Sequence, residues 1–317
     1  MKNQLNNTTM STATIYSINP TDKKDDLSVV SQATEAMAAS YTSVTTIKAK
    51  GNQYLLGYEA SSGTTDTYLL SDIAPFLTKV ENTLIFGKNW DKIEPFYMAN
   101  KPHIMCYQSK NGHMYFYPIT DELKTEHPLH FYHTRTPLTT DLTEVKPLVS
   151  QGQVFVLGYN HENGFVNIWT VSATSTSEGD LPPLAVDIEW AHQWAKGWTR
   201  FAFFTWGNEN YFLKTNDWKP NVNIDHIWDD LSKGTNEVGS HLKLKDDQQL
   251  DIVHPFYVGP GDPYFLTYLA ASGESTFNRI HGDCMGWTTC ATVDKIDKTT
   301  LIVPYRIGES NFAIYLS

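Results

Sequence analysis

Five stretches of this chain can be laid under one another. A chain that repeats at such a period buries its apolar residues only by packing each repeat against the next. The stretches are Tyr41 to Gly63, Trp90 to Gly112, Leu142 to Gly164, Trp198 to Pro220 and Leu250 to Gly273, with a sixth copy read from Trp287. The first four align without a gap, and the last two need one extra residue in the mid-repeat turn. Each unit opens with Trp, Tyr or Leu, and apolar residues follow three and six positions on. A turn rich in Gly, Asn, Pro and Asp comes next, then an apolar run ending in Tyr58, Tyr107, Tyr159, Tyr268 and Tyr305. Thr215 alone breaks that column. A second turn holds Gly63, Gly112, Gly164 or Gly273, after which alternation resumes.

Short apolar runs rich in aromatic and β-branched residues, bounded by Gly and Asn turns, are strands. The unit openings lie 49, 52, 56, 52 and 37 residues apart, so each unit is a meander of three or four strands. One such blade cannot bury both of its faces, and an open solenoid would need polar capping repeats that this chain lacks. A closed ring leaves only short protected edges. The expected fold is therefore all-β, a six-bladed β-propeller over residues 12–317 behind a loose tail at 1–11. The sixth unit, read from Trp287, reaches only its third strand, and Thr12–Asn19 is a strand without a local partner. That strand is predicted to close the ring as the outer strand of blade six. Residues 27–40 are predicted as a short helix, and blade five is predicted to lack its outer strand.

Composition narrows the function classes. Aromatic residues make up 13% of the chain and hydrophobic residues 41%, which excludes disorder over most of it. A net charge of −11 argues against nucleic acid as a partner. No stretch approaches the ~20 apolar residues of a membrane helix. The first residues lack an apolar signal core, and Cys106, Cys284 and Cys290 are an odd number, so a cytoplasmic protein without a disulfide framework is expected.

Side chains alternate along a strand. The residues two and four after each opener therefore share a face, and in the innermost strands they face the axis. They are Ser43 and Thr45, Lys92 and Glu94, Glu144 and Lys146, Arg200 and Ala202, Ile252 and His254, Thr289 and Ala291. One reading is a charge-balanced, water-filled channel. The other is a pocket at the end where the inner strands begin. There Glu94 or Glu144 serves as acid or base, His254 as proton shuttle and Arg200 as a further catalytic group, while Lys92 and Lys146 hold the substrate. Tyr107 and Tyr159 are aromatic candidates for ligand contact, although a residue that recurs in most blades packs between them. Trp206 and Trp218 have no aromatic counterpart in other blades, and Trp218, in a loop between second and third strands, suits ligand stacking best.

Metal and cofactor chemistry find little support. His281, Asp283, Cys284 and Cys290 offer half a zinc pattern, and His130 and His133 in one strand point to opposite faces, with His127 nearby. Phosphate loops, dinucleotide fingerprints and GxSxG elbows are missing from the sequence. No metal and no cofactor are expected.

The loops between second and third strands differ in every repeat, which favours one composite pocket over six equal sugar sites. The pattern Trp90-x(4)-Pro95-Phe96, and His254-Pro255-Phe256 without the Trp, resembles the repeats of lectin-like propeller modules in bacteria and fungi. More distantly the chain resembles fungal propellers that act as hetero-Diels–Alderases. That resemblance implies a cofactor-free enzyme closing, adding or isomerising a hydrophobic metabolite at one pocket. The alternatives are a carbohydrate-binding lectin, with a glycan as ligand, and a scaffold that binds protein.

Overall fold

The computed structural model describes residues 11–81, 84–98, 100–125, 129–131, 140–173, 184–216, 221–243, 250–259 and 261–317. The chain enters as β1 (Thr12–Pro20) and β2 (Leu27–Ala36). Blade one is β3 (Ser43–Ala49), β4 (Asn52–Glu59), β5 (Thr64–Leu70) and β6 (Leu77–Val80). Blade two is β7 (Lys92–Met98), β8 (Lys101–Gln108), β9 (His113–Pro118) and β10 (Leu129–Phe131). Blade three is β11 (Glu144–Ser150), β12 (Gln153–Tyr159), β13 (Phe165–Ala173) and β14 (Leu184–Gln193). Blade four is β15 (Trp198–Trp206), β16 (Glu209–Asn216), β17 (Asn221–Ile227) and β18 (Thr235–Lys243). Blade five is β19 (Ile252–Tyr257), β20 (Pro263–Leu269), β21 (Glu274–Ile280) and β22 (Trp287–Val293). The last strands, β23 (Leu301–Ile307) and β24 (Ser310–Leu316), pair with the first two in the order β2-β1-β24-β23.

Apolar side chains collect between blades. Among the described residues each of six core clusters is shared by two neighbours, such as Tyr58 and Leu56 of blade one with Ile93 and Ile104 of blade two. The sixth cluster joins Val303 and Ile314 of blade six to Leu55 and Tyr68 of blade one, so the ring is closed. Second strands are covered on both faces and lose alternation: β8 buries six successive residues from Pro102 to Tyr107.

The tyrosine column locks successive blades. The backbone N–H of Trp90 donates to the Tyr58 hydroxyl at 3.2 Å, that of Leu142 to Tyr107 at 3.3 Å and that of Trp198 to Tyr159 at 3.4 Å. Thr299 donates in the same way to Tyr268 at 3.0 Å. The second-turn glycines have a matching reason. Gly63 and Gly273 sit at φ 76° and 69°, and a Cβ would come within 2.8 Å of the Gly87 carbonyl and 2.6 Å of the Ile296 carbonyl. Both features tie a blade to the chain entering the next one.

Blade six departs from its expected phase. Trp287 is no opener: it starts the outer strand of blade five, which is complete, and it packs edge-on against Phe265 at 5.3 Å. The true sixth opener is Thr299, 49 residues after Leu250. Tyr305 accordingly lies on inner strand β23, and Leu316 takes the tyrosine position. Cys290, three residues after Trp287, imitated the opening pattern because an outer strand also alternates. Residues 27–36 form strand β2 rather than a helix, paired with β1 along its length. The ring thus closes with two N-terminal strands, third and fourth in blade six. Of the tail, Ser11 is described and buried, and its hydroxyl donates to the Ser317 carbonyl at 2.8 Å; residues 1–10 lie outside the described residues. No helix among them is long and apolar enough to cross a membrane.

Candidate functional site

The six inner strands are edge strands, each with one hydrogen-bonded neighbour. Proline is tolerated there because its missing N–H is not needed by a second partner. Hence Pro95, Pro147, Pro255 and Pro304 occupy one repeat position, five after the opener, along the axis. The positions two and four after the opener meet across neighbouring blades. Lys92 Nζ lies 3.3 Å from Glu144 Oε2, and Lys146 Nζ lies 2.6 Å from Glu94 Oε2. Burial pushes the Glu144 carboxyl up from its ordinary value, and Glu144 in turn raises Lys92. His254, from blade five, senses the same group. Burial first, then the Lys146 ammonium, depress its pKa to about 4, with Glu94 opposing. At neutral pH the ring presents a neutral imidazole beside the two crossed ion pairs.

Beside this ring the inner strands β11 and β15 approach each other least of the adjacent pairs. A cleft of 350 Å³ opens there. Lys146 lines it, with its ammonium 5.6 Å from the Phe203 ring centroid. Tyr97, Phe203, Tyr211 and Tyr257 supply aromatic surface, and Asn210 supplies a carboxamide. Two of these tyrosines are fixed by the same device. The Tyr97 hydroxyl accepts the Lys48 N–H at 2.6 Å, and the Tyr257 hydroxyl accepts the Thr205 N–H at 2.7 Å. In both cases a residue seven after its opener grips the equivalent position of the preceding blade. Rigid phenol rings, a cation tethered by a carboxylate and an amide form a wall suited to a polar ligand with an apolar face.

Five of the ten candidates from the sequence come together: Lys92, Glu94, Glu144, Lys146 and His254. Of the rest, Arg200, Tyr107, Tyr159 and Trp206 do not join them. Arg200 donates its Nε to the Asp251 carbonyl at 2.9 Å, linking blade four to blade five. Tyr107 and Tyr159 are fully buried between blades, away from the cleft. Trp206 packs near Tyr211, at 6.4 Å between centroids, outside the cleft wall. Trp218 lies outside the described residues. Thr289 and Ala291 sit on outer strand β22, and blade six instead places Leu301 and Val303 at those two axial positions. The cleft also lies at the unexpected end of the channel, where the inner strands finish and the β15–β16 hairpin turns. Tyr97, Phe203 and Tyr257 were overlooked because they stand five or seven after the opener, past the polar pair on which the periodicity drew attention, and Tyr211 lies on a second strand.

Of the histidine and cysteine clusters, His281 Nε2 meets the Thr288 hydroxyl at 2.9 Å, and Cys284 and Cys290 are buried free thiols. His127 and His133 lie outside the described residues. Among those described, no three His, Cys, Asp or Glu side chains converge as metal ligands.

No family model and no curated protein matches the sequence. The fold is similar to solved structures. An α-L-arabinofuranosidase from Clostridium thermocellum aligns with a TM-score of 0.51 at 12% identity, over 80% of this chain and 94% of that one. An exo-β-1,3-galactanase from Phanerochaete chrysosporium aligns with a TM-score of 0.49 at 8% identity, over 82% of this chain and 63% of that one. These similarities concern the propeller fold. The arabinofuranosidase similarity corrects the expectation of a cyclase or pericyclase, since that similar fold belongs to a glycosidase and not to a hetero-Diels–Alderase. The axial groups agree with that correction, since crossed Lys–Glu pairs are a poor lining for a hydrophobic metabolite.

Proposed function

We propose that the protein binds carbohydrate, with a short glycan seated in the cleft between blades three and four. The observation that carries this reading is the convergence of Tyr97, Phe203, Tyr211 and Tyr257 with Lys146 and Asn210 in one cavity of 350 Å³. A sugar has hydroxyls for the lysine and the amide and C–H faces for the rings. A glycan ligand is also consistent with a fold similar to that of an arabinofuranosidase. The test is glycan-array screening followed by calorimetry on the strongest ligand. Lys146→Met and Tyr97→Ala should each weaken it by roughly tenfold or more. Absence of any glycan ligand, or a ligand indifferent to both changes, removes the proposal.

Glycoside hydrolysis is a second reading, favoured by one observation. Glu144 is a carboxyl pushed towards its protonated form by burial, with the charge of Glu94 adding to the rise. Release of nitrophenol from aryl glycosides, lost in Glu144→Gln, would support it. A ligand bound tightly and never cleaved would leave binding as the function.

A further inference from the structure

The cleft between blades three and four has a one-sided charge. Of the residues lining it, Lys146 alone is charged, and no carboxylate stands on the wall. Its side chain is 26% exposed, and an ammonium carries three N–H donors. Glu94 Oε2 accepts one of them at 2.6 Å and the Phe203 ring lies 5.6 Å away, so donors remain for a ligand. Glu94 itself stands outside the cleft wall. Glu209, next in sequence to Asn210, is already answered: the Tyr211 hydroxyl donates to it at 3.0 Å, and His226 Nε2 lies 3.2 Å away. The Asn210 carboxamide adds N–H donors to the same wall. Behind the wall the field has the same sign, since at His254 the Lys146 ammonium outweighs Glu94.

We propose that the glycan taken by this cleft is an acidic one, with a carboxylate or sulfate group set against Lys146. The inference rests on the carbohydrate reading and narrows it to a class. A charged acceptor gains about twice as much from a lysine donor as a neutral hydroxyl does, because the hydrogen bond is charge-assisted. A neutral sugar leaves that gain unused, and an amino sugar would set a second cation beside the ammonium. The net charge of −11 does not oppose this. Exposed charges are screened beyond about 8 Å at physiological salt, so a ligand in contact responds chiefly to the groups at the wall.

Calorimetry on the full chain tests it with trisaccharides of galactose, glucose and mannose, each in neutral, uronate and 6-O-sulfated form. In at least one series an acidic form should bind about tenfold more tightly than the neutral form, and whichever does so identifies the anion. That ratio should fall towards one in Lys146→Met, persist in Lys146→Arg and rise in Glu94→Gln, which relieves the ammonium of its counter-charge. Tyr97→Ala should weaken both forms and leave the ratio in place. Near-UV circular dichroism checks that each variant folds. Should Lys146→Met fail to fold, the wild-type ratio and Glu94→Gln carry the test. A Lys146→Met chain that loses both affinities with the ratio unmoved overturns the proposal, because the lysine would then be structural. Neutral forms that bind as tightly as acidic ones overturn it too and leave the carbohydrate reading standing. Silence from every form removes both.

Discussion

Lys146 of blade three lies 2.6 Å from Glu94 of blade two, while two residues earlier on the same strands Glu144 faces Lys92 at 3.3 Å with the charges exchanged. The two inner strands thus recognise each other by a crossed pair of ion pairs. A shift of one blade along the other by two residues would set Lys92 against Lys146 in one direction and Glu94 against Glu144 in the other. Partial burial makes these contacts matter, since the four side chains are between 13% and 30% exposed.

Exchange of one pair tests this pairing. Glu144→Lys alone, or Lys92→Glu alone, brings like charges together and should destabilise the fold by about 1–3 kcal/mol. The double exchange should recover most of the loss. Urea midpoints of the four proteins measure it, and a double variant no better than the sum of the singles would show that the two residues are not partners.

His254 should leave a signature in the pH dependence of stability. Its ordinary value is 6.5 and its value in the fold is about 4. As pH falls, the unfolded chain therefore takes up the proton first. Stability is fully present above pH 6.5 and is lost between there and pH 4. His254→Gln should flatten that part of the profile. Identical slopes for both proteins in denaturant titrations from pH 7 to 4 would contradict the depressed value.

The tyrosine column predicts a position-specific cost. Tyr268 accepts the Thr299 N–H at 3.0 Å and donates to the Asp297 carbonyl at 3.2 Å. Tyr268→Phe strands a buried backbone donor and should cost about 1–3 kcal/mol. Tyr54, whose hydroxyl receives only a long 3.4 Å contact from Asn52, is the control. Equal thermal midpoints for Tyr268→Phe and Tyr54→Phe would deny the column its locking role.

Deletion of residues 11–36 removes half of blade six and exposes β24 along the edge that β1 now covers. The truncated chain should lose its cooperative thermal transition by near-UV circular dichroism. An unchanged midpoint would mean that the other five interfaces hold the structure without closure.

Six blades and closure of the ring by the N-terminal end were legible in the sequence. A repeat column records a local requirement that every copy must meet: a tyrosine where one blade grips the next, a glycine where two chains nearly touch, a proline where an edge strand needs no donor. The phase of blade six was not legible, because its strands come from opposite ends of the chain and Trp287 imitates an opener from an outer strand. The crossed ion pairs were visible as residue types, but not their partners, which depend on the rotation between blades two and three. Only the tertiary structure decided where the cleft lies. It arises from unequal spacing between blades and from residues such as Phe203, which stands where Pro95, Pro147, Pro255 and Pro304 stand in other blades. Repetition encodes what all blades share, whereas a cavity is made where neighbouring blades differ, and that difference takes effect only once the ring has set them side by side.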